Sequence, residues 1–256
     1  SPTDFTLFVI PSVLVSLAFM PILLSATPAP TFETTRGMSF RALFRASPLG
    51  CMGMLLTGGI FAAMFGMSSV WGAMTGLTVR EISIFVGTMY VGGLVLQYPI
   101  GWASDRMDRR LLILGLSAVG GFAMLIAGAF YLPFWGTLVA SFMLGGITSP
   151  LYSLLIAYTN DYLGKDQMAA ASAGLIFLNG LGAIFGPLAA GWLMGHVGPG
   201  GYFLLIAVLF LSLTIYAAWR MTRRKAFGPS QGVVVTSPNA SALAVQRAME
   251  PRDRAA

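Results

Sequence analysis

The chain is predicted to be an all-α, polytopic membrane protein with seven transmembrane helices, and three observations lead there. Apolar residues make up 56% of the sequence and charged residues 9%, where an ordinary soluble domain carries about a quarter charged. Mean hydropathy is +0.78. Seven apolar runs, at about 5–24, 49–74, 82–103, 111–130, 134–158, 168–195 and 202–220, each approach the 20 or so residues that a hydrocarbon core of roughly 30 Å demands. Alternation with a period of two is absent, so the runs read as helices and not as barrel strands.

The same composition excludes other classes. The single Cys51 lies inside the second run, allows no intrachain disulfide and reads as a structural thiol. No Walker motif is present, which disfavours an ATP-driven pump. No catalytic, metal-ligating or cofactor-binding constellation is expected, and the net charge of +6 carries no nucleic-acid signature. Its placement has a better explanation. Of fifteen Lys and Arg, fourteen fall in alternate connections: Arg36, Arg41 and Arg45, then Arg106, Arg109 and Arg110, then Lys165, then seven after the last run. Only Arg80 lies on the other side. The positive-inside rule puts those regions in the cytoplasm and the start of the segment outside. A Ser1-Pro2-Thr3-Asp4 opening without Met or a basic leader is expected for the back part of a longer chain.

The elements can be justified in order. Run one (residues 1–24 with its lead-in) tolerates Pro11 and Pro21 as membrane helices do. Residues 25–47 form a cytoplasmic linker whose end puts Phe40, Leu43 and Phe44 on one helical face. That pattern suits an interfacial helix or a plain linker. Ser47-Pro48 supplies an N-cap and an N1 proline for run two, which opens a six-helix bundle over 48–221. Thr78-Val79-Arg80-Glu81 is a capping box for run three, and Pro99 should loosen that helix near its end. Run six carries Gly180, Gly182, Gly186, Pro187, Gly191 and Gly195. Small residues there let backbones approach closely, so Gly182, Gly186, Pro187 and Gly191 are expected to pack helices. Residues 222–256 leave the membrane as a cytoplasmic tail, with a short helix expected at 241–250. An Asn239-Ala240-Ser241 glycosylation sequon is set aside because the topology faces it inward.

Between runs three and four the chain reads G-W-A-S-D-R-M-D-R-R-L-L, Gly101 to Leu112. Topology alone needs positive charge and has no use for Asp105 and Asp108. This turn resembles the loop signature of the major facilitator superfamily, G-x-L-A-D-R-x-G-R-K-x-x-L, with Gly101, Asp105, Arg106, Arg109 and Arg110 in register and Asp108 in place of the usual second Gly. Its wording is similar to a bacterial subgroup of that superfamily. The resemblance implies the C-terminal part of such a transporter, helices 6–12, covering roughly residues 5–225, with helices 1–5 of the amino-terminal half absent as its partner. It also implies that Asp105 faces a helix of the opposite half. An aspartate at a helix C-terminus is unfavourable without a donor. The arginines need an acid near the end of run five, and Asp161 is the candidate, so an Arg109 or Arg110 pair with Asp161 is expected.

No Asp, Glu, Lys, Arg or His lies near the centre of any run. A charge there costs at least ~2.5 kcal/mol and usually has a function, so a proton-coupled mechanism would have to take its acid from the other half. The candidates left for a solute cavity are uncharged: Ser68 and Trp71 in run two, Tyr90 and Gln97 in run three, Tyr152 in run five and Asn179 in run six. The resemblance places these runs around the central cavity, although helix–helix contact would explain each residue equally well. Two functions follow. One is a secondary transporter that moves a small organic solute across a bacterial inner membrane by alternating access. The alternative is a non-transporting helical subunit that serves as a scaffold in a larger complex.

Overall fold

A computed structural model describes residues 5–24, 38–164 and 166–223. Most of the linker, Lys165, the sequon and the expected tail helix lie outside the described residues. The chain divides into two units, Ser1–Thr35 and Arg36–Ala256. The first holds α1 (Thr6–Leu23), with Pro11 and Pro21 inside it. The hydroxyls of Ser12 and Ser16 donate to the carbonyls of Phe8 and Ser12, each at 2.8 Å, which keeps these polar groups satisfied within the helix.

The second unit is a helical bundle: α2 (Phe40–Ala46), α3 (Pro48–Met74), α4 (Val79–Ser104), α5 (Arg109–Ala129), α6 (Phe134–Asn160), α7 (Met168–Val197) and α8 (Gly201–Arg223). The helices α3 to α8 are long and apolar enough to cross a bilayer, six in all, while α1 carries the shorter apolar stretch Phe8–Pro21. Run one is therefore present as a helix but falls short of the other six as a span. From α3 to α8, connections of three to seven residues force successive helices antiparallel.

Local signals explain most boundaries. Thr78 and Glu81 form the expected capping box: the Glu81 amide donates to Thr78 Oγ1 at 3.3 Å, and the Thr78 amide donates to Glu81 Oε2 at 2.8 Å. Pro48 occupies the first turn of α3, but the Ser47 hydroxyl does not cap it. That hydroxyl is buried and bonded to Thr159 Oγ1 of α6 at 3.0 Å. An interhelical partner has replaced the local one. The helix α4 continues through Pro99 to Ser104.

The most extensive pairings are α3 with α7, α4 with α6 and α5 with α8, followed by α3 with α8 and α5 with α6. Exchanging α3–α4–α5 with α6–α7–α8 maps this set onto itself. The two triplets enter the bundle from opposite ends, so they are an inverted repeat, a plan common among carriers. The equivalence reaches individual atoms. A Cβ on Gly58 would collide with the Asn179 carbonyl oxygen, and one on Gly145 would collide with that of Met89. A Cβ on Gly182 would strike the Leu55 carbonyl and lie 3.1 Å from the Gly59 nitrogen; one on Gly92 would strike the Phe142 carbonyl and lie 3.1 Å from the Gly146 nitrogen. Thr57-Gly58-Gly59-Ile60 and Leu144-Gly145-Gly146-Ile147 are the matching segments.

Each main interface also carries a polar tie. Asn179 Nδ2 donates to the Met54 carbonyl at 3.1 Å, Ser141 Oγ donates to the Phe85 carbonyl, and Thr214 Oγ1 donates to Ser117 Oγ at 3.0 Å. Gly58→Ala and Gly145→Ala should each destabilise the bundle by at least about 1–3 kcal/mol, because the obstructing atoms are backbone and cannot rotate away. Gly87, with nothing within 4 Å of its would-be Cβ, should be neutral or gain up to about 1 kcal/mol as Ala. Equilibrium unfolding of the purified variants in mixed micelles checks both.

Candidate functional site

Two groups of residues stand out, one at an end of the bundle and one at its middle. The end group is the turn between α4 and α5. Asp108 is the N-cap of α5 and accepts from the Arg110 amide at 2.9 Å. Its carboxylate also accepts from Arg110 Nε at 3.3 Å and Nη2 at 3.0 Å. Arg110 is buried beside Tyr162 and Tyr158. Partial burial pushes the Asp108 carboxyl up, but the hydrogen bonds and charge of Arg110 outweigh it and hold the carboxyl below the usual aspartate range. The residue that departs from the resembled signature thus has a local purpose: it starts a helix and neutralises a buried guanidinium.

Arg109 reaches the other way. Its Nε donates to Ser104 Oγ at 3.3 Å, and its Nη1 donates to the Ala157 carbonyl at 3.3 Å and to the Asp161 carboxylate. One side chain therefore joins the end of α4, the start of α5 and the C-terminus of α6. The cation also sits where the α6 carbonyls are unpaired, which the helix dipole favours. Arg109 makes the expected pair with Asp161, whereas Arg110 turns back to Asp108. Arg106 is exposed, donates to the Trp102 carbonyl at 3.2 Å and lies 4.2 Å from the Trp102 ring centroid.

Asp105 caps α4 at its C-terminus, is exposed, and has no side-chain hydrogen bond or ion pair among the described residues. Gly101 is exposed with open space where a Cβ would project. Tyr90, Leu94, Gln97 and Gly101 recur at helical spacing down one side of α4, and all four are exposed.

The middle group is aromatic. Tyr152 of α6 meets Phe61 edge-on at 5.9 Å between centroids, Phe61 stacks on Phe65 at 6.0 Å, and Phe65 stacks on Tyr90 of α4 at 5.4 Å. These four rings form a ladder across α6, α3 and α4, near the midpoint of each helix. Tyr90 and Phe65 are exposed, Phe61 and Tyr152 half-buried. Sequence reasoning found Tyr90 and Tyr152 but missed Phe61 and Phe65, although their four-residue spacing on one face of α3 was the available signal.

Other cavity candidates lie elsewhere. Trp71 is only 4% exposed. It packs on Phe85 at 4.6 Å, Phe203 at 5.1 Å and Tyr202 at 5.9 Å, at the end of the bundle opposite the charged turn. Ser68 is buried in the same region at 1% exposure. Both belong to the packed interior, not to an opening. Asn179 is committed to the α3–α7 contact through Met54. Gln97 is exposed and has no hydrogen-bond partner among the described residues. Gly182 and Gly186 press against the Leu55 and Gly59 carbonyls, Pro187 lies 3.6 Å from a Cβ built on Gly66, and Gly191 faces the Met67 methyl at 3.5 Å.

A repeat of three helices with six apolar spans, no charge at mid-depth and an arginine clamp at one end defines a multi-pass membrane protein of the carrier type. The family model of the Major Facilitator Superfamily matches residues 49–245, and the chain belongs to that superfamily of transporters. Among curated proteins it is similar to the MFS-type transporter YfkF of Bacillus subtilis, 28% identical over 193 residues, covering 73% of this chain and 47% of the relative. It is also similar to the MFS-type transporter YcaD of Escherichia fergusonii, 24% identical over 76% of this chain and 50% of the relative. YcaD of Salmonella heidelberg is 24% identical over 73% and 49%. The chain spans about half the length of the curated relatives it matches. No solved structure gives a significant match.

The clamp has a measurable weight. Arg109→Ala should cost about 1–3 kcal/mol, since it leaves three acceptors on two helices without their donor. Asp161→Asn should cost under about 1 kcal/mol, because that pair is partly exposed. A double-mutant cycle on unfolding free energies should return a coupling below the full Arg109 loss.

Proposed function

We propose that this chain works as the carboxy-terminal part of a secondary transporter, moving a small neutral organic solute across a bacterial inner membrane by alternating access. The observation that carries this reading is the aromatic ladder of Tyr152, Phe61, Phe65 and Tyr90. It leaves rings accessible at mid-depth, where carriers of this plan bind their cargo. Stacked rings without a nearby charge suit a flat or amphipathic molecule over a strongly charged anion. Gln97 adds an uncommitted amide about two turns away on the same side of α4, for a polar group of the solute or for a facing helix.

The exposed stripe from Tyr90 to Gly101, with Asp105 beyond it, is the surface we assign to the amino-terminal bundle, helices 1–5 of the whole transporter. Gly101 leaves room for another backbone, and Asp105 awaits a donor such as a helix N-terminus. In this reading α1 makes a further crossing ahead of the six-helix bundle, and the α4–α5 turn and α2 face the cytoplasm. A purely structural subunit would instead bury the ladder in fixed contacts with its partners.

Orientation can be read with cysteines in a Cys51→Ala background. A membrane-impermeant maleimide added to intact cells should modify Val79→Cys, at an exposed position at the start of α4, and spare Met107→Cys; the reverse pattern would refute the assignment. For the activity, the whole transporter in proteoliposomes should show gradient-dependent flux of a planar neutral solute. Phe61→Ala and Phe65→Ala should each raise KM roughly 2–10-fold, in line with about 0.5–1.5 kcal/mol per aromatic contact. No flux across a broad panel, or flux indifferent to both substitutions, would refute the reading.

A further inference from the structure

The short helix α2 does more than connect. Leu43, 2% exposed, fills the gap above Gly174, and the Phe40 ring lies 5.1 Å from that of Phe177, so α2 is docked on α7 and precedes α3 by one residue. Beside it lies a groove of about 490 Å³ lined by Phe40, Arg41, Phe44, Arg45, Cys51 and Leu178. Arg41 and Arg45 are one helical turn apart and exposed, and neither has a hydrogen bond or ion pair among the described residues. Two guanidiniums on a fixed helix, with no carboxylate among the described residues to answer them, flank an otherwise apolar trough.

We propose that this groove binds an anionic phospholipid. Its lining fits a lipid better than a free anion. Asn179 bonds to Met54 across the α3–α7 contact, so Leu178 lies about one helical turn beyond Cys51. The trough therefore begins at the arginines of α2 and ends on apolar side chains of the two spans. A phosphate would sit between Arg41 and Arg45 as a charge-assisted hydrogen-bond acceptor. The acyl chain would lie along Phe44 and Leu178. Basic pockets between membrane helices are a recognised way to hold acidic headgroups, and arginines whose stems line apolar surface are suited to it.

Native mass spectrometry of the whole chain, released from detergent with added lipid, tests the site. Phosphatidylglycerol should be retained over phosphatidylcholine of the same acyl chains by on the order of tenfold. The double variant Arg41→Gln/Arg45→Gln should bring the two lipids to parity. Leu178→Trp, which fills the trough and leaves both charges, should lower phosphatidylglycerol retention several-fold, and it serves as the second test if the arginine variant does not fold. Glycerol phosphate, which has the headgroup charge without chains, should not be retained. Equal retention of the two lipids by the unmodified chain would overturn the proposal. So would a preference that survives the folded variants, or glycerol phosphate binding as well as the lipid, which would mark a site for free phosphate.

Discussion

Inside a bilayer two apolar helices gain nothing from expelling water, so their association rests on how closely their atoms can pack. In this chain that constraint is met where backbone lies directly on backbone. Gly58 and Gly182 bring α3 and α7 together, and Gly145 and Gly92 do the same for α6 and α4. At each crossing a carbonyl of one helix occupies the space a side chain would need on the other. The polar ties from Asn179 and Ser141 lie alongside the same two interfaces, where water is absent and an unpaired amide or hydroxyl would be costly. The rest of the bundle is arranged around these two pairs.

The charged turn follows from that arrangement. Pairing α4 with α6 brings their C-termini to one end, and two helix C-termini side by side concentrate unpaired carbonyls and partial negative charge. Arg109 is placed to answer both, through Ser104 on one side and Ala157 with Asp161 on the other. Arg110 could not serve the same end. It projects into the bundle, where burial requires a carboxylate at hand, and Asp108 supplies one from the preceding turn. Asp105 remains outside both arrangements, the one acid of the turn with no assigned donor among the described residues.

Much of this was legible in the sequence because bilayer physics is severe. A run of twenty apolar residues has few alternatives to a helix, and the helices lie within a few residues of the expected runs. The Thr78–Glu81 box and the Arg109–Asp161 pair were also readable, since each follows from a local rule or from a shortage of partners. What escaped depended on tertiary placement. Ser47 had the spacing of a cap, yet its hydroxyl was claimed by Thr159 across the bundle. Trp71 was a cavity candidate and instead fills the core beside Phe85. Both depend on which face of α3 meets which neighbour, and α3 is apolar on all sides. The internal repeat did leave a trace, the Gly-Gly-Ile of residues 58–60 and 145–147, but a three-residue echo is too short to stand out in a chain with 31 glycines.

The repeat also bears on how such a bundle could move. Contacts between backbones lack the rotamer freedom by which side chains absorb small displacements, so α3 with α7 and α4 with α6 should each respond to force as one body. Softer contacts remain where side chains meet: the aromatic ladder between α3, α4 and α6, and the exposed stripe on α4. A solute bound against the ladder would therefore act on groups that can yield while the crossings beneath them hold. The rocking proposed for the whole transporter would draw on that division, with a stiff frame of glycine crossings and a compliant surface of rings. The absence of charge at mid-depth fits the same division, because stacked rings can slide past one another without the large desolvation changes that a moving ion pair would bring.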